Sequence, residues 1–396
     1  MPAVSGVSVP AWTAADARAV TRLMLIVVAL RVATALVAFY GNVTFPLARP
    51  EQFTVFESTD HFWDPFARND SGWYLGIASR GYRWVPNGRS NLAFFPAYPL
   101  LMRAAGRALG GTQADYYYGG IVVSWLASLG GVALVYALAR RFMDGERAWH
   151  AALLTYVFPF AFFFGVVYSE ALFVLALATA LYGLESRRWW LAVLGGALLT
   201  ATRVNGVMAV PALVVIGWHA AGGEVSARIR GAAAGAAAVA GIAAYSAYTW
   251  SVSGDPFEWY HAITRWGYHP GTTLTASPLW VFASNLATRP YAYLVGEHAA
   301  PYDVLNGLFP VAMVAALPWI WRRLGAGYAL LIAANLALPL SSGQFEGLGR
   351  YCAVLFPFQI WLAAVTPSSH LPLVYTGYGV LYGLALTLFT TLHAIF

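Results

Sequence analysis

Three features of the sequence predict an all-α, polytopic membrane protein. Hydrophobic residues make up 59% of the 396 and charged residues only 10%, where soluble domains carry about 25% charge. Mean hydropathy is +0.60. The apolar residues also gather into runs of the length that crosses a hydrocarbon core, about 20 residues. About eleven such runs, several of them short, stand near 19–40, 117–139, 148–165, 167–184, 189–202, 204–219, 231–252, 303–321, 325–341, 351–366 and 371–396, and the pairs at 148–184 and 189–219 each also read as one long tilted helix. The chain 1–396 therefore reads as a single transmembrane domain. The net charge of +6 is spread over arginines, with no basic tract that calls for nucleic acid. The lone Cys352 excludes an internal disulfide.

Taken in order, the first run follows Arg18 and Arg22 and is longer than a signal-peptide core, so it is expected to be a retained span with a cytoplasmic N-terminus. Charge then threads the rest. From that start, Arg140, Arg141 and Arg147 fall inside, as do Arg187 and Arg188, Arg228 and Arg230, and Arg322 and Arg323. All four connections obey the positive-inside rule. The outer side receives a large first loop, 41–116, and a second, 253–302, with turns at 168–170, 203–206 and 342–350. Gly231–Ala244 is almost wholly Ala and Gly and reads as a helix-packing face.

This threading collects the unusual polar residues on one side. Asp64, Asp70, Glu170, Arg203, Asn205, Asp255, Glu258, Arg265, Glu297, Asp303, Glu346 and Arg350 all fall outside or at the outer membrane edge. Neither a Walker-type loop nor a dinucleotide fingerprint is present, so any activated substrate is expected to be membrane-borne. The densest polar stretch is 61–99. Asp64 and Asp70 sit there among Trp63, Phe66, Trp73, Tyr74, Tyr82 and Trp84, with Arg68, Arg80, Arg83 and Arg89 interleaved. Aromatic faces stack on sugars, carboxylates hold or deprotonate hydroxyls, and arginine pairs with phosphate. The same composition also describes an interfacial loop at lipid headgroups.

Other residues carry two readings each. Glu170 opens an apolar run, as an acid favoured by a helix dipole or as a contact to sugar or acceptor. Arg203 binds phosphate or forms a structural pair with Glu170. Arg350 snorkels to headgroups or holds a phosphate. Arg31, mid-span, calls for a structural partner. Asp255 and Glu258 make a turn. His61, His261, His269 and His298 are too scattered for a ligand set, so no metal is expected.

The run Asp70–Tyr82, followed by Ala93–Leu101, resembles the PIG-V family, the GPI mannosyltransferase II enzymes and their bacterial relatives among the GT-C membrane glycosyltransferases. The likeness continues through Tyr168–Phe173, Arg188–Trp190, Ala201–Arg203, Gly254–Phe257, Trp266-Gly267, Gly349–Tyr351 and Phe356-Pro357. It implies a GT-C-like fold with a large first extracytoplasmic loop in a multi-pass cell-membrane protein. The implied reaction is inverting transfer of a sugar, mannose above all, from a polyprenyl-phosphate donor to a hydroxyl of a lipid or glycan acceptor. An acid of the first outer loop would serve as base. Spacing to Gly72-Trp73-Tyr74 puts Asp70 in that position, and the Trp63-Asp64 pair makes Asp64 the contender. The resemblance casts Arg350 and Arg203 as donor-phosphate ligands, and Trp73, Tyr74, Tyr82, Arg89, Glu170 and Tyr351 as substrate contacts. It implies no cofactor and no metal. The rival readings are another lipid-linked sugar such as glucose or arabinose, a lipid or sugar transporter, and a non-catalytic assembly partner. Transport would call for polar residues near the bilayer midplane rather than at one edge.

The threading is tested by thiol labelling of intact cells. Cysteines at Asn87 and Ser342 should react with an impermeant reagent from outside, and cysteines at Gly145 and Ser186 should not. Labelling of the second pair overturns the eleven-span arrangement.

Overall fold

The computed structural model describes residues 12–49, 60–266, 277–341, 345, 347–393 and 395. Gly267, His269, Ser342 and Glu346 lie outside the described residues. Among those described there is no strand. The helices in order are α1 (Ala14–Thr44), α2 (Ser71–Arg80), α3 (Ala97–Leu109), α4 (Gln113–Ala139), α5 (Gly145–Val157) and α6 (Glu170–Glu185). There follow α7 (Trp189–Thr200), α8 (Val204–Ala221), α9 (Val225–Ala236), α10 (Val239–Ser253), α11 (Glu258–Arg265) and α12 (Pro278–Thr288). The chain ends with α13 (Pro290–Leu294), α14 (Pro301–Leu324), α15 (Ala326–Leu340), α16 (Leu348–Ala353), α17 (Pro357–Val365) and α18 (Leu371–Thr390).

Local chemistry sets several of these ends. Thr13 and Thr112 each form a reciprocal capping box with the acid three residues on. Asp16 and Asp115 donate their amides to the threonine hydroxyls at 3.2 Å and accept the threonine amides at 3.0 and 2.9 Å. Asp144 caps α5 by accepting from the Arg147 amide at 2.9 Å. Pro159 stops α5, because the residue before a proline is pushed out of helical conformation; Phe158 is extended, with φ −55° and ψ 140°. A tight 3-10 turn at Ala161–Phe164 then leads to α6.

Among the described residues, six helical segments are long and apolar enough to cross a membrane: Ala14–Thr44, Gln113–Ala139, Val204–Ala221, Val225–Ser253, Pro301–Leu324 and Ser368–Thr390. The other five apolar runs are covered by shorter or interrupted helices: α5, α6, α7, α15 and the α16–α17 pair. At about 1.5 Å per residue, the 16 residues of α6 span about 24 Å, short of the ~30 Å core. Such a helix reaches membrane depth only inside a jacket of other helices. That is where α6 lies, packed on α4, α7 and α8 and buried along nearly its whole length.

Small residues make the packing possible. A methyl group added at either Gly217 of α8 or Gly231 of α9 would strike the backbone carbonyl of the other. The Ala/Gly stretch is thus a contact face, as its composition predicts. Arg31, fully buried in α1, finds its structural partners in a carbonyl and a hydroxyl: it donates to Ala161 O at 3.0 Å and to Tyr382 Oη at 3.3 Å.

Polar contacts concentrate at the two ends of α6. At its C-terminus, Glu185 accepts from Arg141 at 2.9 Å and from Tyr328 at 2.8 Å. The neighbouring α4 terminus carries Arg140, 3.0 Å from Asp16. At its N-terminus stands Glu170, about 22 Å away along the helix, and there a second group of charges meets.

Replacing Gly231 by Leu should lower the thermal midpoint in detergent by an amount equivalent to about 1–3 kcal/mol, the usual cost of overpacking. Gly379→Leu should leave it unchanged, since nothing lies within 4 Å of a Cβ there. Equal melting of the two variants would show that the α8–α9 contact is not tight.

Candidate active site

The polypeptide enters the site through a short 3-10 turn, Asp64–Phe66, and a residue in left-handed conformation, Asn69 at φ 53°. Asparagine tolerates that conformation better than most residues. The turn brings Asp70 to the N-cap of α2. Four hydrogen bonds stitch this corner to the extended segment before α6. The Val167 amide donates to Phe66 O at 3.0 Å, and Ser71 Oγ to Val167 O at 3.1 Å. The Asp70 amide donates to Tyr168 Oη at 3.3 Å, and Tyr168 Oη donates to Arg68 O at 3.2 Å. One turn along α2, Tyr74 Oη shares a 3.0 Å hydrogen bond with Ser169 Oγ. The first loop is thereby fixed against residues 167–169.

Four charged side chains converge on that corner. Arg350 Nη1 lies 2.8 Å from Asp70 Oδ2, and Arg350 Nε lies 3.1 Å from Glu170 Oε1. Arg203 pairs with the same Glu170 oxygen and sits 5.3 Å over the Tyr351 ring. The Arg350 guanidinium lies against a pair of adjoining aromatics, 5.4 Å from the Tyr168 ring centre and 5.7 Å from that of Phe163. Glu170 is wholly buried, while the Asp70 side chain keeps 25% of its surface. Glu170 opens α6, where the dipole favours negative charge. Arg203 caps α8 in extended conformation. Arg350 is carried by α16, and a methyl on the preceding Gly349 would strike the Phe160 ring. Only glycine lets α16 come so close. The Gly349 amide is tied to Asn306 Oδ1 at 3.1 Å.

Asp64 is placed elsewhere. It pairs with Arg68 at 2.5 Å, and Arg68 also donates to Asn42 of α1 at 2.7 Å. Both Asp64 and Arg68 are buried. Burial pulls the Arg68 guanidinium below its ordinary value, and the charge of Asp64 opposes that shift. Tyr82 also stands apart from the four charges. Its hydroxyl donates to Phe94 O at 2.7 Å and its ring packs on Tyr245 and Tyr248; burial pushes that hydroxyl well up. Trp73 and Arg89 form a more exposed rim. The Trp73 ring stacks on Phe94 at 5.8 Å and meets the edge of Trp266 at 4.6 Å, with Arg89 lying 5.4 Å over Trp266.

Tyr168, Ser169 and Phe163 were not among the sequence candidates, although Tyr168-Ser169-Glu170 is one of the segments that carried the resemblance. Asp255, Glu258 and His261, which read as turn residues and a stray histidine, have ligand-type atoms within 4.8 Å of one another. Each is already engaged: His261 Nδ1 lies 2.7 Å from Asp255 and Arg265 lies 2.5 Å from Glu258. The Phe257 amide, donating to Asp255 at 2.8 Å, is the main cause holding that carboxyl below its usual range, and His261 adds to it.

A buried carboxylate fixing two arginines, beside a more accessible carboxylate on one of them, is suited to bind an anion next to a proton acceptor. Residues 18–222, more than half of the chain, match the mannosyltransferase (PIG-V) family, and the protein belongs to it. Its apolar helices make it a multi-pass membrane member of that family. Among similar proteins, human GPI alpha-1,6-mannosyltransferase 2 is 30% identical over 148 residues, covering 36% of this chain and 29% of the human protein. The Cricetulus griseus enzyme of that name is 30% identical over 151 residues, covering 36% and 30%. These matches span less than a third of those relatives. In structure, the chain is similar to the apo oligosaccharyltransferase of Archaeoglobus fulgidus, with a TM-score of 0.46 and 14% identity over 93% of this chain and 56% of that one. The AglB enzyme of the same organism, with inhibitory peptide and dolichol-phosphate, gives 0.44 and 15% over 93% and 56%.

The contrast between the two acids is open to a stability test. Asp64→Asn removes the carboxylate charge paired with the buried Arg68 and should destabilise the protein by about 3 kcal/mol, as breaking a buried pair does. Asp70→Asn should change the thermal midpoint little. A D64N midpoint equal to wild type would show that the Asp64–Arg68 pair does not hold the first loop.

Proposed function

We propose that the protein is an inverting mannosyltransferase that takes mannose from a polyprenyl-phosphate donor and passes it to an acceptor hydroxyl on the extracytoplasmic side. The observation that carries this reading is the placement of Asp70 2.8 Å from Arg350, whose other acid partner, Glu170, also holds Arg203, in a chain of the mannosyltransferase family. Asp70 is the general base. Arg350 and Arg203 bind the donor phosphate and stabilise the charge that grows on it as it leaves, in place of a metal. Glu170 keeps both guanidinium groups aimed. Trp73, Tyr74, Arg89 and Tyr351 line the approach for sugar and acceptor.

In the transfer step the acceptor oxygen attacks the anomeric carbon and its proton passes to Asp70. The bond from that carbon to the phosphate oxygen breaks, and its electron pair leaves with polyprenyl phosphate. One displacement inverts the centre, so a β-linked donor yields an α-linked product, the linkage in the relatives' name. The extracytoplasmic side is supported by the arginine-rich connections: the pole at Glu185, Arg140 and Arg141 is the basic one, and the Glu170 end is opposite. Mannose is favoured over other lipid-linked sugars by the family match.

With purified protein and labelled polyprenyl-phosphate-mannose, Asp70→Asn should lower turnover by about 10²–10⁴-fold, the range that general-base catalysis supplies. Arg350→Ala should reduce donor affinity and turnover together, because the phosphate is charged in ground and transition states alike. Asp64→Asn should give a milder loss per folded molecule. Near-normal turnover of D70N with an inactive D64N would transfer the role of base to Asp64.

A further inference from the structure

Arg350 serves two acids at once, and they are held very differently. Glu170 is fully buried, stands in the first turn of α6, and is also paired with Arg203. Asp70 sits at the start of the ten-residue α2, keeps 25% of its side-chain surface, and pairs with an arginine through Arg350 alone among the described residues. Two acids and two arginines leave the cluster formally neutral. A phosphodiester entering it adds one negative charge, and the guanidinium groups cannot satisfy three anions as well as they satisfy two. The carboxylate that can yield is Asp70, because releasing Glu170 would strand a wholly buried charge.

We propose that the donor phosphate and Asp70 compete for Arg350, so that arrival of the donor is the event that frees Asp70 to act as base. This rests on the assignment of Arg350 to the donor phosphate made above. Before the donor binds, the Asp70 oxygen nearest Arg350 accepts a charge-assisted hydrogen bond and is occupied. Once the phosphate takes the guanidinium, that oxygen turns to the acceptor hydroxyl. The charges then stay matched through the step: Asp70 becomes neutral on taking the proton as the phosphate gains its second negative charge. Glu170 is thus a positioning residue, the fixed anion that keeps both arginines in place while Asp70 and the phosphate exchange. The order that follows is donor first, then a competent base.

The distinguishing consequence is that removing the base should improve binding of the phosphate. Farnesyl phosphate is the probe, with farnesol as its uncharged control, titrated calorimetrically against detergent-purified protein of verified thermal midpoint. Asp70→Asn and Asp70→Ser should each bind farnesyl phosphate about five- to tenfold tighter than wild type, the loss of one partly exposed competing charge. Farnesol affinity should not change. Arg350→Lys should weaken farnesyl phosphate binding. If wild type binds in an Arg350-dependent way but both Asp70 variants bind no tighter, the competition is refuted and the donor assignment stands. If wild type does not distinguish farnesyl phosphate from farnesol, or R350K binds as wild type does, the donor assignment fails and the competition with it.

Discussion

A carboxylate with no exposed surface must be paired to stay charged, and Glu170 is paired twice, with Arg203 and with Arg350. The architecture around it follows from that requirement. Arg203 comes from the start of α8, Arg350 from α16, and Glu170 itself opens α6. Three segments remote in sequence are drawn to one point, and Asp70 of the first loop joins them through Arg350. Losing Glu170 would take the paired carboxylate from Arg203 and from Arg350, which costs far more than a surface pair contributes.

The second constraint is length. The helix bearing Glu170 is too short to cross a bilayer unaided, and it ends in another buried acid, Glu185, held by Arg141 and Tyr328. Each end of α6 is therefore pinned by charge, and its flanks are sealed by apolar contact with α4, α7 and α8. Small residues let the neighbouring helices close on it, as where Gly195 of α7 meets the backbone of Ala180. A rigid central helix with a polar knot at each end gives the site a fixed floor. The corner that bears Asp70 is tied to that floor by backbone and hydroxyl hydrogen bonds from residues 167–169.

The two aspartates of the first loop show how burial separates like residues. Both stand among aromatics and arginines and differ by six positions. Asp64 turns inward and, with Arg68 and Asn42, ties the loop to α1. Asp70, after the left-handed Asn69, turns toward Arg350 and keeps part of its surface. The same contrast applies to the aromatics. Tyr82 is enclosed by Tyr245 and Tyr248, while Trp73 stays at the rim against Trp266.

The membrane character, the all-helical class and the positions of the apolar runs were determined by sequence alone, because hydropathy and charge are local properties summed over a window. The family was legible too, in short ordered segments such as Asp70–Tyr82 and Gly349–Tyr351. Tertiary structure alone decided which runs are full-length helices and which are broken, since a short helix is tolerated only inside a jacket of others. It also brought Glu170, Arg203 and Arg350 together, although 33 residues separate the first two and 147 the last two. No pattern in a linear sequence carries that meeting. It arises when the buried acid of α6 selects its cations from whatever the packed helices bring within reach.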